Sequence, residues 1–234
     1  MNQEIEKRYN SRLEGASPDE IIRFFAEEFK GRIAFATSLG AEDQVITEMI
    51  SGIDPAMNIF TLDTGRLFQE TYELLHITRE KYGLKIELYF PDAVDVEEMV
   101  NSHGINLFYE GIEKRKLCCF IRKTEPLTRA LQGIDAWICG LRRDQSVTRQ
   151  EIKVVEWDSI QKKIKVNPLV NWSLEQMWDY IHTNKIPYNT LHDKGYPSIG
   201  CLPCTRAILA GEDVRSGRWW WESPENRECG LHQK

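Results

Sequence analysis

Short apolar runs alternate with longer amphipathic stretches along most of the chain. Arg32-Ile33-Ala34-Phe35-Ala36 is a brief apolar run that reads as a strand and ends in Thr37-Ser38-Leu39-Gly40. From about Ala41 the apolar positions Val45, Ile46, Met49 and Ile50 recur at helical spacing. The unit then repeats, with a strand at Asn58–Leu62, a turn at Asp63-Thr64-Gly65 and a helix from about Leu67 to Tyr82. Lys85–Phe90 reads as a third strand and is followed by an acidic helix around Val94–Val100. Ala136–Leu141 is a further strand, and Val154–Trp157 with Ile164–Val166 reads as a hairpin. Strands alternating with helices across short turns predict an α/β fold, a Rossmann-like parallel sheet flanked by helices. Ligands of such sheets bind beyond the C-terminal ends of the strands.

The ends of the chain differ from its middle. Residues 1–30 read as helical, with Ser17-Pro18-Asp19-Glu20 as a start signal, and Ser173-Leu174-Glu175-Gln176 opens a later helix. From about Pro187 onward glycine and proline make the chain loop-rich. A single domain over 1–234 is expected, with a core at about 30–185, loops at about 186–221 and a tail at 222–234. At 28% charged and 41% apolar residues the composition is that of an ordinary globular protein. The net charge of −6 argues against a general nucleic-acid binder. No apolar stretch is long enough to span a bilayer, and the charged start Met1–Arg8 carries no secretory signal, so a cytoplasmic protein without membrane attachment is expected. Thiols stay reduced there, and paired cysteines then favour metal or redox chemistry over disulfides.

Four of the six cysteines form two pairs, Cys118-Cys119 and Cys201-Leu202-Pro203-Cys204. Folded together they would supply the four thiolates that zinc or an iron–sulfur cluster requires. Adjacent cysteines in an extended segment point to opposite sides, so Cys118-Cys119 is expected in a turn or at a helix start. Cys139, in an apolar strand, reads as a core residue. Cys229, in Glu228-Cys229-Gly230-Leu231-His232, lies on a tail that can swing; it is either a reactive thiol or an idle exposed one, and His232 either supports its thiolate or a turn. Trp219-Trp220-Trp221 reads equally as core or contact surface, and His182 and His192 read as structural.

Thr37-Ser38-Leu39-Gly40-Ala41-Glu42-Asp43 stands where a strand hands over to a helix, a place that offers backbone N–H groups to phosphate. Leu62-Asp63-Thr64-Gly65 closes the next strand and could face an adenine and ribose. Cations gather at predicted strand ends and loops: Arg122, Lys123, Arg142, Arg143, Arg149, Arg215 and Arg218. In an acidic chain this distribution points to a multiply charged anionic ligand.

Taken in order, these motifs resemble the assimilatory adenylyl-sulfate/phosphoadenylyl-sulfate reductases, in their iron–sulfur branch. The resemblance runs from about Ile33 to His232. It is carried by Cys118-Cys119, Gly200-Cys201-Leu202-Pro203-Cys204, Glu228-Cys229-Gly230-Leu231-His232, Gly140-Leu141-Arg142-Arg143-Asp144-Gln145-Ser146 and Leu62-Asp63-Thr64-Gly65. It implies the fold of the adenine nucleotide α-hydrolases and ATP pyrophosphatases, completed by a C-terminal loop region and a mobile tail. It implies one [4Fe-4S] cluster per subunit on Cys118, Cys119, Cys201 and Cys204. Cys229 becomes the nucleophile, assisted by Lys123, His232, Arg215 and Arg218. Ser38, Gly40, Glu42, Asp43, Leu62, Asp63, Thr64, Gly65, Arg142 and Arg143 become the substrate-binding set. The pyrophosphatases carry S-G-G-x-D-S; here Leu39 replaces the first glycine and Asp43 is followed by Gln44, which fits binding a nucleotide without splitting its α–β bond. The implied substrate is adenylyl sulfate, the electron donor thioredoxin, and the assembly a homo-oligomer. A dual enzyme that also takes the 3′-phosphorylated substrate and a tRNA-thiolating enzyme are the alternatives. The altered loop and the net charge of −6 count against the second. A structural zinc site would leave Cys229 without a role.

Overall fold

The structure, a computed structural model, describes residues 2–146 and 149–223. Its strands are β1 (Ile33–Ala36), β2 (Asn58–Leu62), β3 (Ile86–Tyr89), β4 (Ala136–Ile138), β5 (Val155–Asp158) and β6 (Lys163–Val166). They form one six-stranded sheet in the order β3-β2-β1-β4-β6-β5. All neighbours are parallel except β5 and β6, so the predicted hairpin supplies an antiparallel edge to a parallel sheet.

The helices are α1 (Asn2–Arg12), α2 (Pro18–Glu28), α3 (Ala41–Ile53), α4 (Gln69–Tyr82), α5 (Ala93–His103), α6 (Ile112–Cys119), α7 (Glu125–Ala130) and α8 (Leu174–Thr183). The N-terminal helical region is two helices, the second starting at the predicted signal. Its break falls before Ser17, which caps α2 reciprocally with Glu20, the Ser17 N–H donating to Glu20 Oε2 at 2.8 Å.

The central strands β1 and β4 are apolar and almost wholly buried, as strands covered on both faces must be. On one face Phe35, Ile59 and Ile138 pack against Phe25 of α2, Ile46 of α3 and Ile181 of α8. On the other, Phe60 and Trp137 pack against Leu127 and Leu131 at α7. A third apolar cluster of Met99, Leu107, Phe108, Cys118, Cys204 and Trp219 gathers α5, α6 and the C-terminal loops. No helix among the described residues is long and apolar enough to cross a membrane.

The chain reverses its direction of travel across the sheet between β1 and β4. After β1 it adds β2 and β3 on one side, then returns to add β4 and β6 on the other. Such a switch point leaves a crevice at the carboxyl ends of the two strands, bordered here by the turn into α3 and by the loop after β4.

Candidate active site

The turn after β1 is pinned from inside. Asp43, in the first turn of α3, accepts from the Ser38 N–H and hydroxyl, both at 2.6 Å. A Cβ at Gly140, at the end of β4, would overlap the Asp43 carboxylate, so the glycine is what lets the two loops close on each other. Burial pushes the Asp43 carboxyl up to about 6, against the opposing pull of the Ser38 donors. Leu39, at the position of the missing glycine, adopts φ 60°. That left-handed backbone costs a non-glycine residue about 1 kcal/mol, and it is held by a 3.0 Å bond from the Leu39 N–H to Thr37 Oγ1 and by burial of the side chain.

A cavity of about 720 Å³ opens over this turn. Of the expected substrate set, Ser38, Gly40, Glu42, Asp43, Leu62, Thr64 and Arg142 line it. Asp63 and Gly65 stand behind the wall: buried Asp63 accepts from the Gly65 N–H at 2.8 Å and from the Tyr72 hydroxyl at 2.9 Å, which shapes the turn. Arg143 is outside the wall. Its neighbour Arg142 has an extended backbone, so consecutive side chains diverge, and Arg143 donates to the Ile152 carbonyl at 3.0 Å and to Asn171. Arg142 faces the cavity but is paired, its Nε and Nη2 each 2.9 Å from Glu42 Oε1.

Lys123, Arg149, Arg215 and Arg218 also line the cavity, the three arginines being buried. Arg218 donates to the Ile199 carbonyl at 3.0 Å, and its guanidinium lies 4.6 Å from the ring of Trp219, with that of Arg215 at 6.0 Å. Trp219 is a buried platform for three cations, the Arg115 guanidinium lying over its ring at 5.0 Å as well, whereas Trp220 is exposed and Trp221 packs edge-on against Tyr109. A Cβ at Gly200 would overlap the Arg218 guanidinium. His192, read from sequence as structural, borders the cavity, and burial holds its pKa below the ordinary value. Cys139 is a core residue as expected, its thiol donating to Asn167 Oδ1 at 3.0 Å, although it also reaches the cavity wall.

The four paired cysteines border a second, small cavity of about 20 Å³ together with Arg66, Arg115, Arg122 and Lys123. Cys118-Cys119 ends α6 rather than starting a helix, and the chain continues into a π-helical turn at Phe120–Thr124. Adjacent residues on a helix are about 100° apart, so both thiols can reach one cavity. Cys201 precedes and Cys204 ends the single turn Leu202–Cys204. The loop after β2 is tied to this one: the Thr64 hydroxyl is 3.3 Å from the Cys201 sulfur, and the Leu202 N–H donates to the Arg66 carbonyl at 2.8 Å. Arg122 donates to the Thr64 carbonyl at 2.7 Å, while its Nε is buried with no hydrogen-bond partner. Lys123 and Cys201 belong to the walls of both cavities.

Burial raises the Cys118 thiol and pushes that of Cys204 up to about 12. Burial acts the same way on Cys201, but Lys123, the Thr64 hydroxyl, Arg218 and Arg122 together outweigh it and the thiol falls below its ordinary value. The cysteines among the described residues are all free thiols. No group of three or more Cys, His, Asp or Glu among the described residues is set around a point where one metal ion could sit. Cys229 and His232 lie outside the described residues.

A doubly wound sheet with a nucleotide-sized, cation-lined cavity at its switch point defines a nucleotide-binding α/β protein. The fold is shared with FMN adenylyltransferase from Candida glabrata in complex with FAD and inorganic pyrophosphate, at TM-score 0.57 and 15% identity over 91% of this chain and 72% of that one. More narrowly, residues 32–207 match the phosphoadenosine phosphosulfate reductase domain, and the chain belongs to that family. It is similar to adenosine 5'-phosphosulfate reductase from Allochromatium vinosum, 53% identical over 86% of this chain and 79% of the relative. The enzyme of the same name from Sinorhizobium fredii is 47% identical over 97% of this chain and 90% of its own. Among solved structures, phosphoadenylyl-sulfate reductase from Candida auris in a phosphate complex is 32% identical at TM-score 0.76, covering 89% of this chain and 98% of that one.

Proposed function

We propose that the protein reduces adenylyl sulfate to sulfite and AMP in sulfate assimilation, with thioredoxin as electron donor. The observation that carries this reading is that Lys123 and Cys201 border both the nucleotide-sized cavity and the thiol-lined one. With Arg149, Arg215 and Arg218 in the same wall, the cavity is suited to a dense anion such as a phosphosulfate. The relatives named adenosine 5'-phosphosulfate reductase support the substrate. They do not favour the tRNA-thiolating alternative.

In this reading the Cys229 thiolate attacks the sulfur of the sulfuryl group. A sulfur–sulfur bond forms, the sulfur–oxygen bond breaks, and its electron pair leaves on the phosphate of AMP. Attacker and substrate are both anionic, so Lys123, Arg149, Arg215 and Arg218 offset their repulsion and stabilise the charge growing on the leaving phosphate. His232 helps to hold the thiolate. A thioredoxin thiolate then attacks the Cys229 sulfur and expels sulfite, and a second thiol resolves the mixed disulfide.

The donor set around the small cavity fits a [4Fe-4S] cluster. Four thiols share one cavity with Arg66, Arg122 and Lys123, whose charges can balance a negative one, and with Arg115, whose charge is paired with Glu222. Four thiolates meet the donor count of zinc and of a cluster alike, and the resemblance to the iron–sulfur branch favours the cluster. Held by Cys118, Cys119, Cys201 and Cys204, the cluster would supply a fixed charge of about −2 beside Lys123.

The test is adenylyl sulfate with reduced thioredoxin, measuring sulfite and AMP. Both products should appear in equal amounts, and Cys229→Ser should abolish them. In a single turnover without thioredoxin, sulfur label should remain on Cys229. Full turnover by Cys229→Ser, or label on another residue, would overturn the mechanism.

A further inference from the structure

The reductant must reach Cys229, and covalent geometry limits where it can do so. The described chain ends at Ser223, and the six residues Pro224–Cys229 extend at most about 20 Å. The attacking thiol of a reductant protein therefore has to come within about that distance of Ser223, so a contact face close to Ser223 is well placed to present it. Just before Ser223, the surface carries large exposed apolar side chains. Trp220 is 36% exposed and packs edge-on against Tyr109, itself 44% exposed, at 6.2 Å between ring centroids. The Tyr109 hydroxyl donates to the Pro203 carbonyl at 2.7 Å, which places Leu202, 52% exposed, next to it. Arg66 joins the remaining member: its carbonyl accepts from the Leu202 N–H at 2.8 Å and its guanidinium donates to the Ile105 carbonyl at 2.6 Å, with Ile105 59% exposed.

We propose that Trp220, Tyr109, Leu202 and Ile105 form the docking face for the protein dithiol that regenerates Cys229. This rests on the reading of Cys229 as the sulfonated thiol. Exposed aromatic and aliphatic side chains collected at one place mark contact surfaces, and this collection sits at the root of the tail that carries the sulfur to be attacked. The partner it fits is a small dithiol protein whose reactive thiol lies within an apolar contact face. The thiol–sulfonate exchange is complete with these two proteins alone. The partner thiolate bonds to the Cys229 sulfur, the sulfonate sulfur departs with the electron pair as sulfite, and the partner's second thiol closes its own disulfide and returns Cys229 as a thiolate.

The experiment compares Trp220→Glu and Ile105→Glu, singly and together, with the unsubstituted protein, using reduced thioredoxin as the probe and dithiothreitol as a small reductant. The KM for thioredoxin should rise tenfold or more in the double variant. AMP release in a single turnover without reductant, and turnover with dithiothreitol, should stay within twofold. An unchanged KM for thioredoxin would overturn the surface alone, as would equal losses with both reductants. A fall in particle mass by light scattering would overturn it too, because a second copy of the chain would then be the occupant. Should Trp220→Glu not fold, Trp220→Ala with Ile105→Glu makes the same comparison. Absence of sulfite from the unsubstituted protein with either reductant would overturn the activity, and the surface with it.

Discussion

The Thr64 hydroxyl lies 3.3 Å from the Cys201 sulfur, and that contact joins the end of the sheet to the thiol loop. The same hydroxyl accepts from the Arg66 N–H at 3.3 Å, so it holds its own turn as well as the loop opposite. Thr64→Val keeps the side-chain shape and removes both bonds. The expected loss is about 1 kcal/mol in urea unfolding, with iron released to a chelator several-fold faster. Unchanged unfolding and iron release would show that the contact holds nothing.

The buried Asp43 carboxyl has a pKa of about 6, against an ordinary 3.8. An acid whose pKa is higher in the folded state stabilises the fold most below its unfolded pKa. That contribution is lost as pH rises through the folded value, here between about pH 4 and 7, and amounts to about 3 kcal/mol. Asp43→Asn removes the titration. The difference in unfolding free energy between the two proteins should therefore change across that interval in the variant's favour. Parallel curves from pH 4 to 7 would contradict it.

Much of this site was legible before folding was considered. Strand and helix alternate in the hydrophobic pattern, so a site at the carboxyl ends of the strands and the turns at Ser38–Asp43 and Leu62–Gly65 followed from local sequence, whereas the strand order that sets the switch point between β1 and β4 did not. The cysteine pairs were visible by type and spacing. Relationships between distant residues were not. Glu42 neutralises Arg142, which is visible only once β1 and β4 are side by side. Arg142 and Arg143 look equivalent in sequence, yet the extended backbone at Arg142 separates their directions. The position of Cys118-Cys119 at a helix end depends on the π-turn that follows, for which short-range propensity carries no signal. Trp219 acts through guanidiniums stacked on its face. The neighbouring arginines were the one available hint.

The buried pair of Arg115 and Glu222 fixes the last described turn of the chain to the helix that bears Cys118 and Cys119. Arg115 Nε and Nη2 donate to the two Glu222 oxygens at 3.0 and 2.8 Å, with both side chains almost fully buried. Removing one partner leaves a buried charge, so Glu222→Ala should cost about 3–5 kcal/mol. Replacing both, as Arg115→Met with Glu222→Leu, should recover most of that loss. Urea unfolding of the three proteins checks it, and a double variant no better than Glu222→Ala would show that the pair matters for more than charge burial.

Gly200 makes room for the Arg218 guanidinium, which occupies the place a Cβ would take. Gly200→Ala must push Arg218 off its position over Trp219. The predicted result is a rise of tenfold or more in KM for adenylyl sulfate, about 1.4 kcal/mol of binding, with iron content retained. If KM stayed at the wild-type value, Arg218 would not be a substrate contact.

Lys123 borders both the thiol-lined cavity and the nucleotide-sized one, and it is the foremost of the groups that pull the Cys201 thiol down. A cation in that place is attracted from both sides: by the thiolates and by the phosphosulfate. On the proposed function it would hold the substrate's anionic end beside the four thiols without being a ligand of the cluster they would carry. Lys123→Ala removes the charge while leaving all four cysteines, so iron and sulfide content should be unchanged. The rate of Cys229 sulfonation in a single turnover should fall a hundredfold or more, about 3 kcal/mol of lost transition-state stabilisation. Lys123→Arg keeps the charge and should recover part of that rate. A variant that lost its iron would place Lys123 with the metal site instead, and one that kept both iron and rate would remove the electrostatic bridge between the two cavities.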